Sequence, residues 1–249
     1  MKRATLLILF LSFFSLPTFA KGPGEKKSQI AMLSLRSLIE PCLHQSDLCG
    51  LTPKELQALT NSLKAAGPVK FHLRFLPEPE GENHHSTFYI AIESASLYSA
   101  DGQSRPLLEI AGLLFTEWLK TVSPLTIEQV RGVVEKILAS VSYGEEEIRI
   151  SSKESARGLS FTTPYGQSAL LILERDGKAK DVTSLLFQDS GCENAHAQSI
   201  HLQSFEKDIV KGSVLWSCEG NKRESLFVLQ AAQGSASLVD RQDCEKRLD

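Results

Sequence analysis

The chain has 249 residues, 42% of them apolar, and a formal net charge of −3. That composition is ordinary for a globular protein and leaves room for one large domain or two small ones. A mildly acidic chain gives no electrostatic case for binding nucleic acid or an anionic membrane surface.

The opening residues, MKRATLLILFLSFFSLPTFA, carry the grammar of export. Lys2 and Arg3 form a positive start. Leu6 to Leu16 is an apolar run too short to span a bilayer, and Thr18 and Ala20 are the small residues of a cleavage site. Residues 1–20 therefore read as a signal peptide cut after Ala20, which predicts a secreted or periplasmic protein with no membrane span after cleavage. Loss of Lys2 and Arg3 takes the formal charge from −3 to −5. Residues 21–27 (KGPGEKK) are polar and rich in Gly and Pro, and read as a flexible leader.

Residues 28–142 mix helices and strands. Ile30, Leu33, Leu35, Leu38, Ile39 and Leu43 are dense enough for a largely buried helix. A second helix is announced by Thr52 as N-cap, Pro53 at N1 and Glu55 at N3, a capping box, with Leu51 and Leu56 as hydrophobic staple. Leu56, Leu59 and Leu63 mark its apolar face, and Gly67-Pro68 stops it. Cys42 thus ends one helix and Cys49 precedes the next. In an oxidising compartment the pair would staple this helix–turn–helix, worth about 2.5 kcal/mol in the chain-entropy model. Six intervening residues do not fit a redox Cys-x-x-Cys. With His44 between them a zinc site would still lack an evident fourth ligand.

Val69 to Leu76 alternates, with Val69, Phe71, Leu73 and Phe75 on one face, as a half-buried strand does. Residues 77–87 (PEPEGENHHST) form an acidic loop. His84 and His85 there have ligand chemistry for zinc or copper, but adjacent histidines project differently, and the loop reads as a solvated hairpin tip. Thr87 to Leu97 is a second strand, followed by an Asp101-Gly102 turn. Leu107, Ala111, Leu114, Phe115, Trp118, Leu119 and Val122 recur at helical spacing. Ser104 is the candidate cap, and Gly112 leaves room for a short strand before a shorter helix. Thr126 and Gln129 make a second capping box, with a Leu125–Val130 staple and a clean stripe from Val130 to Val141.

Residues 143–240 read as an antiparallel β region. Apolar runs at 146–152, 158–163, 168–174, 182–187, 199–205, 213–218, 226–231 and 236–239 are separated by turn signals such as Asp176-Gly177, Glu219-Gly220 and Gln233-Gly234. Ser168 to Leu173 is apolar on both faces and belongs in the middle of a sheet. Residues 241–249 form a tail. The expected class is α+β: a mixed helix/strand half, then an antiparallel meander closed as a sandwich or barrel. The boundary at 142–146 separates either two domains or two parts of one fold. Cys192, Cys218 and Cys244 allow three pairings. Cys192–Cys218 is preferred because both lie at ends of neighbouring predicted strands, and Cys218–Cys244 is its rival.

Reactive motifs are few. Gly166-Gln167-Ser168 begins like a nucleophile elbow, but Leu170 replaces the second glycine and the context is a strand. Ser204-Phe205-Glu206-Lys207 matches S-x-x-K in letters, at a strand end rather than a helix start. Cys192, His196 and His201 have ligand chemistry, yet alternation puts His201 on an exposed face. Glu145 to Glu147 read as a solvated strand edge. Phosphate loops, dinucleotide fingerprints and EF-hand series do not appear. No catalytic, cofactor-binding or metal residue is assigned, and no cofactor is expected. The expectation is a non-catalytic exported binding protein, its partner a protein or an envelope polymer, with a sheet edge near the C-terminus able to recruit a strand. The alternative is a secreted hydrolase whose serine or carboxylate meets His72, His196 or His201 only in three dimensions.

Overall fold

The structure, a computed structural model, describes residues 22–44, 49–66, 72–76, 89–139, 141–164, 166–192, 194–206, 208–230, 233 and 235–240. The segment expected as a signal peptide, Gly67-Pro68, the acidic loop with His84-His85, Lys207, Gly234 and the tail with Cys244 lie outside them.

The chain folds as an α+β sandwich with its helices in the N-terminal half. Helices α1 (Pro23–His44), α2 (Pro53–Ala66), α3 (Leu107–Val122) and α4 (Ile127–Leu138) carry a parallel strand pair between α2 and α3, β1 (His72–Leu76) with β2 (Tyr89–Glu93). Two four-stranded antiparallel meanders follow. The first orders β3 (Ser142–Arg149), β4 (Glu154–Thr163), β5 (Gly166–Arg175) and β6 (Lys178–Asp181). The second orders β7 (His196–Glu206), β8 (Ile209–Cys218), β9 (Asn221–Gln230) and β10 (Ser235–Asp240).

The alternation of β5 explains the layering. Leu170 and Ile172 join the helices on one side, together with Leu159 and Phe161 of β4. Ala169, Leu171 and Leu173 face the second sheet. The first sheet is therefore a middle layer between the helices and the second sheet, and the helical core runs across residue 143 without a break.

Local chemistry sets most boundaries. In both predicted capping boxes the reciprocal bonds are present: Glu55 N–H donates to Thr52 Oγ1 (3.3 Å) and Thr52 N–H to Glu55 (2.7 Å). Thr126 and Gln129 repeat the pattern at α4. Glu55 also accepts from Lys136 Nζ at 2.9 Å, tying α2 to α4. Burial works against the Glu55 carboxylate, but the bonds from Lys136 and Thr52 outweigh it and hold its pKa below the ordinary 4.5. A depressed carboxylate stabilises the fold above its unfolded pKa and loses that contribution as pH falls through the folded value. Glu55→Gln is therefore expected to flatten the decline in urea midpoint between about pH 5 and pH 3; a variant declining as steeply as wild type would assign the acid sensitivity elsewhere.

Five expectations need correction. Strands β1 and β2 pair in parallel, so they do not form the expected hairpin. The strand expected over 87–97 ends at Glu93, and Ser94–Leu97 is a 3-10 turn. Helix α1 starts at Pro23, so most of the expected leader is helical. Pro23 occupies the first turn, the Gly22 N–H donates to Glu25 at 3.1 Å, and Gly24 N–H donates to the Tyr98 hydroxyl at 3.3 Å. A Cβ on Gly24 would come within 2.8 Å of Tyr98, so the glycines read as loop signals are what lets this turn dock. The segment expected as a strand at 182–187 is instead a 3-10 turn, Thr183–Phe187. Asp181 Oδ1 accepts from both the N–H (2.8 Å) and the hydroxyl (2.6 Å) of Thr183 and curls the chain there, leaving the short charged β6 as the fourth strand. Helix α3 runs unbroken through Gly112 and starts at Leu107, with Pro106 at the N-cap position and no side-chain cap from Ser104. Gly112 marks close helix contact: a Cβ there would lie 3.2 Å from Leu138 Cδ1.

Two cysteine pairs lie at disulfide distance. The Cys42 and Cys49 sulfurs are 2.00 Å apart and join the end of α1 to the turn before α2. Those of Cys192 and Cys218 are 2.15 Å apart and join the entry of β7 to the end of β8. No helix of the described residues is long and apolar enough to cross a membrane.

The sheets meet face to face with β7 lying over β4 and β5. Two glycines permit this. A Cβ on Gly158 would sit 3.0 Å from Ile200 Cγ2, where β7 lies over β4. Gly212 of β8 pairs with Phe227 of β9, whose ring fills the space that a side chain would need.

Candidate functional site

The polar residues singled out as chemistry resolve into structural ties. Ser168 is 1% exposed, and its hydroxyl donates to the Ser37 carbonyl at 2.9 Å, joining β5 to α1. His196 Nε2 bonds the Gln167 carbonyl at 3.0 Å. His201 Nδ1 lies 2.9 Å from Glu146 Oε1, and Glu146 Oε2 accepts the Leu202 N–H at 2.6 Å. Burial disfavours the Glu146 carboxylate, but the His201 and Leu202 bonds prevail and hold its pKa below the ordinary range.

A histidine oriented by a carboxylate is half of a hydrolytic triad. The third member is not assembled. Ser213 stands opposite His201 across β7 and β8 yet is only 9% exposed, and no hydrogen bond joins the two. Cys192 is paired with Cys218, so it does not join the two histidines. Among the described residues no group of three His, Cys, Asp or Glu is placed to hold a metal. His72 lies on β1 within the described backbone.

Sequence reasoning missed one charged cluster. Arg157 on β4, with a side chain 20% exposed, binds Glu145 and Glu147 of β3 and Glu174 of β5. The residues lie on neighbouring strands, with Glu147 directly opposite Arg157, so the signal was in the register. Burial disfavours the guanidinium charge, but the carboxylates overcome this and raise its pKa. A cleft of about 260 Å³ opens beside it, bounded by Lys26, Lys27, Leu107 and Tyr143. Each carboxylate is already engaged by Arg157, which makes the cluster a brace across three strands.

The sheet edges differ in a way that does point to recognition. An open edge offers unpaired backbone groups to any extended chain, and proteins guard such edges with charge or cover. Edge strand β3 carries Glu145, Glu146, Glu147 and Arg149. Edge strand β6 carries Lys178, Lys180 and Asp181, and Gln29 of α1 accepts the Ala179 N–H at 3.3 Å. On β7 the outward amides are capped by the first sheet: Ser160 Oγ accepts from Ile200 N–H (3.2 Å) and Glu146 from Leu202 N–H.

The fourth edge of the two larger sheets, β10, lacks the charge, though the 3-10 turn Thr183–Phe187 lies against this strand. Its sequence is SASLVD, without a charge before Asp240. Ala236 and Leu238 pack on the core between the sheets, while Ser235 and Ser237 are exposed. Among the described residues no hydrogen bond reaches β10 from the side away from β9. What this edge can do chemically is pair: it presents alternating donors and acceptors, with small side chains that let another backbone approach. No family model, curated protein or solved structure matches the chain.

Proposed function

We propose that the chain is an exported binding protein that takes up an extended segment along β10. The observation that carries this reading is the contrast among the edges of the two four-stranded sheets: three carry charge or side-chain caps on their amides, whereas β10 has no charge before Asp240. Main-chain bonds would supply affinity, and guest side chains on the face of Ala236 and Leu238 would add apolar contact with the core between the sheets. Export rests on the signal-peptide grammar of residues 1–20, and two cysteine pairs at bonding distance suit an oxidising compartment.

The test is selection of peptides from a random displayed library on the exported protein, followed by amide exchange on the complex. Protection concentrated in 235–240 is the expected result. Binders that protect the cleft beside Arg157, with β10 unchanged, would move the site there. The hydrolase alternative draws on the Glu146–His201 pair alone, and labelling of the protein by a fluorophosphonate would favour it.

A further inference from the structure

We infer that the cleft between the start of α1 and the first sheet binds a small zwitterion, an amino acid or dipeptide with a free ammonium group, a free carboxylate and an apolar body. The inference goes beyond strand addition at β10 and does not depend on it. The cleft exists because the helical layer stops short. Pro23 opens α1 and Leu107 opens α3, and both line the cleft, so the sheet runs on past the helices that cover it. Glu145 stands opposite Leu159 and Arg157 opposite Ile172, so these charged residues continue the face that packs on the helical core. They occupy that face where it leaves the core.

The two walls carry opposite charge. On the sheet side Glu145, Glu147 and Glu174 share the single guanidinium of Arg157, three negative charges against one positive. Each contact uses Oε1 of its carboxylate, so the second oxygens of Glu145 and Glu174, which line the cleft, can still accept from a ligand ammonium group. On the helix side stand Lys26 and Lys27. Lys27 Nζ donates to the Arg105 carbonyl at 3.0 Å, while exposed Lys26 makes no ion pair among the described residues. The helix wall is thus as positive as the sheet wall is negative. A simple cation entering the cleft meets the lysines, and a simple anion meets the carboxylates. A zwitterion with its carboxylate toward α1 and its ammonium toward the sheet meets opposite charge at both ends. The rest of the lining is apolar. Leu107 and Ile30 are buried, and the ring of Tyr143, 37% exposed, lies beside Phe161 with centroids 6.4 Å apart, a flat wall for the body of a ligand. A volume of about 260 Å³ lies just under the range of drug-sized pockets, room for an amino acid or dipeptide and little more.

The experiment is a nuclear magnetic resonance titration of the isotopically labelled full chain at neutral pH with L-phenylalanine and with alanyl-phenylalanine. N-acetylphenylalanine, which lacks the cation, and phenethylamine, which lacks the carboxylate, are the controls. At least one of the two zwitterions is expected to shift the amides of 24–30 and 143–145 with a dissociation constant between roughly 10 µM and 1 mM, and each control to bind at least about fivefold more weakly. Lys26→Gln leaves the Arg157 brace intact. It should weaken zwitterion binding about fivefold while phenethylamine binds no more weakly than to wild type. No shift of these amides at about 10 mM of either zwitterion, a control that binds as tightly as the zwitterions, or a Lys26→Gln protein that binds them like wild type overturns the inference. Strand addition is read separately, by the β10 amides in the peptide experiment above, so either idea can fail without the other.

Discussion

Gly212→Ala is expected to destabilise the protein by about 3 kcal/mol, at the upper end of ordinary overpacking costs. A Cβ at this position would lie 2.5 Å from Phe227 Cζ and closer still to the His201 carbonyl oxygen. Phe227 is 1% exposed, and the His201 carbonyl is fixed by the β7–β8 pairing, so neither neighbour can yield cheaply. The ring of Phe227 covers the glycine across the strand pair, an aromatic filling the gap that a missing side chain leaves in a sheet. Urea unfolding of the variant checks the size of the effect. Phe227→Leu alone should also destabilise, and combined with Gly212→Ala it should cost less than the two singles together, because the smaller side chain frees the contested space. Wild-type stability in Gly212→Ala would mean that β7 and β8 are less closely packed than described.

Arg157→Met should cost about 2 kcal/mol at pH 7, less than a fully buried pair because the side chains keep some solvent contact. The substitution keeps the apolar stem and removes the charge that binds Glu145, Glu147 and Glu174. Three carboxylates would then face one another without their shared cation, a repulsion that is relieved as they take up protons in acid. The deficit of Arg157→Met against wild type should therefore shrink between pH 7 and pH 4. An equal deficit at both pH values would show that lost packing, not charge, is responsible.

How much of this was legible in the residues follows the range of each interaction. The boxes at Thr52 and Thr126 close within three residues, so their chemistry was readable directly. The double-sided apolar run of β5 announced a middle strand because burial on both faces leaves its mark on every position. The docking of Gly24 depends on Tyr98, which lies 74 residues away, and nothing near Pro23 signals it. The run at 182–187 has the composition of a strand, and only the Asp181–Thr183 bonds tell it apart. At the level of the site the limit was sharper. Ser168, His196 and His201 are reactive residue types whose partners, a carbonyl of α1, a carbonyl of β5 and the Glu146 carboxylate, make them ties. That β10, with no charge before Asp240, ends a sheet could be recognised only from the strand order.

The placing of the cysteine pairs bears on how the chain matures. Cys42 and Cys49 are consecutive cysteines, as are Cys192 and Cys218, and the two loops they close neither nest nor overlap. A chain threaded outward from its N-terminus presents each cysteine next to its eventual mate, before the following pair emerges. An oxidant that joins thiols strictly in order of arrival would make both bridges without error, and Cys244 would appear only when its rivals were spent. If the chain is exported as proposed, its maturation should therefore depend on a thiol oxidant and be indifferent to loss of a disulfide isomerase.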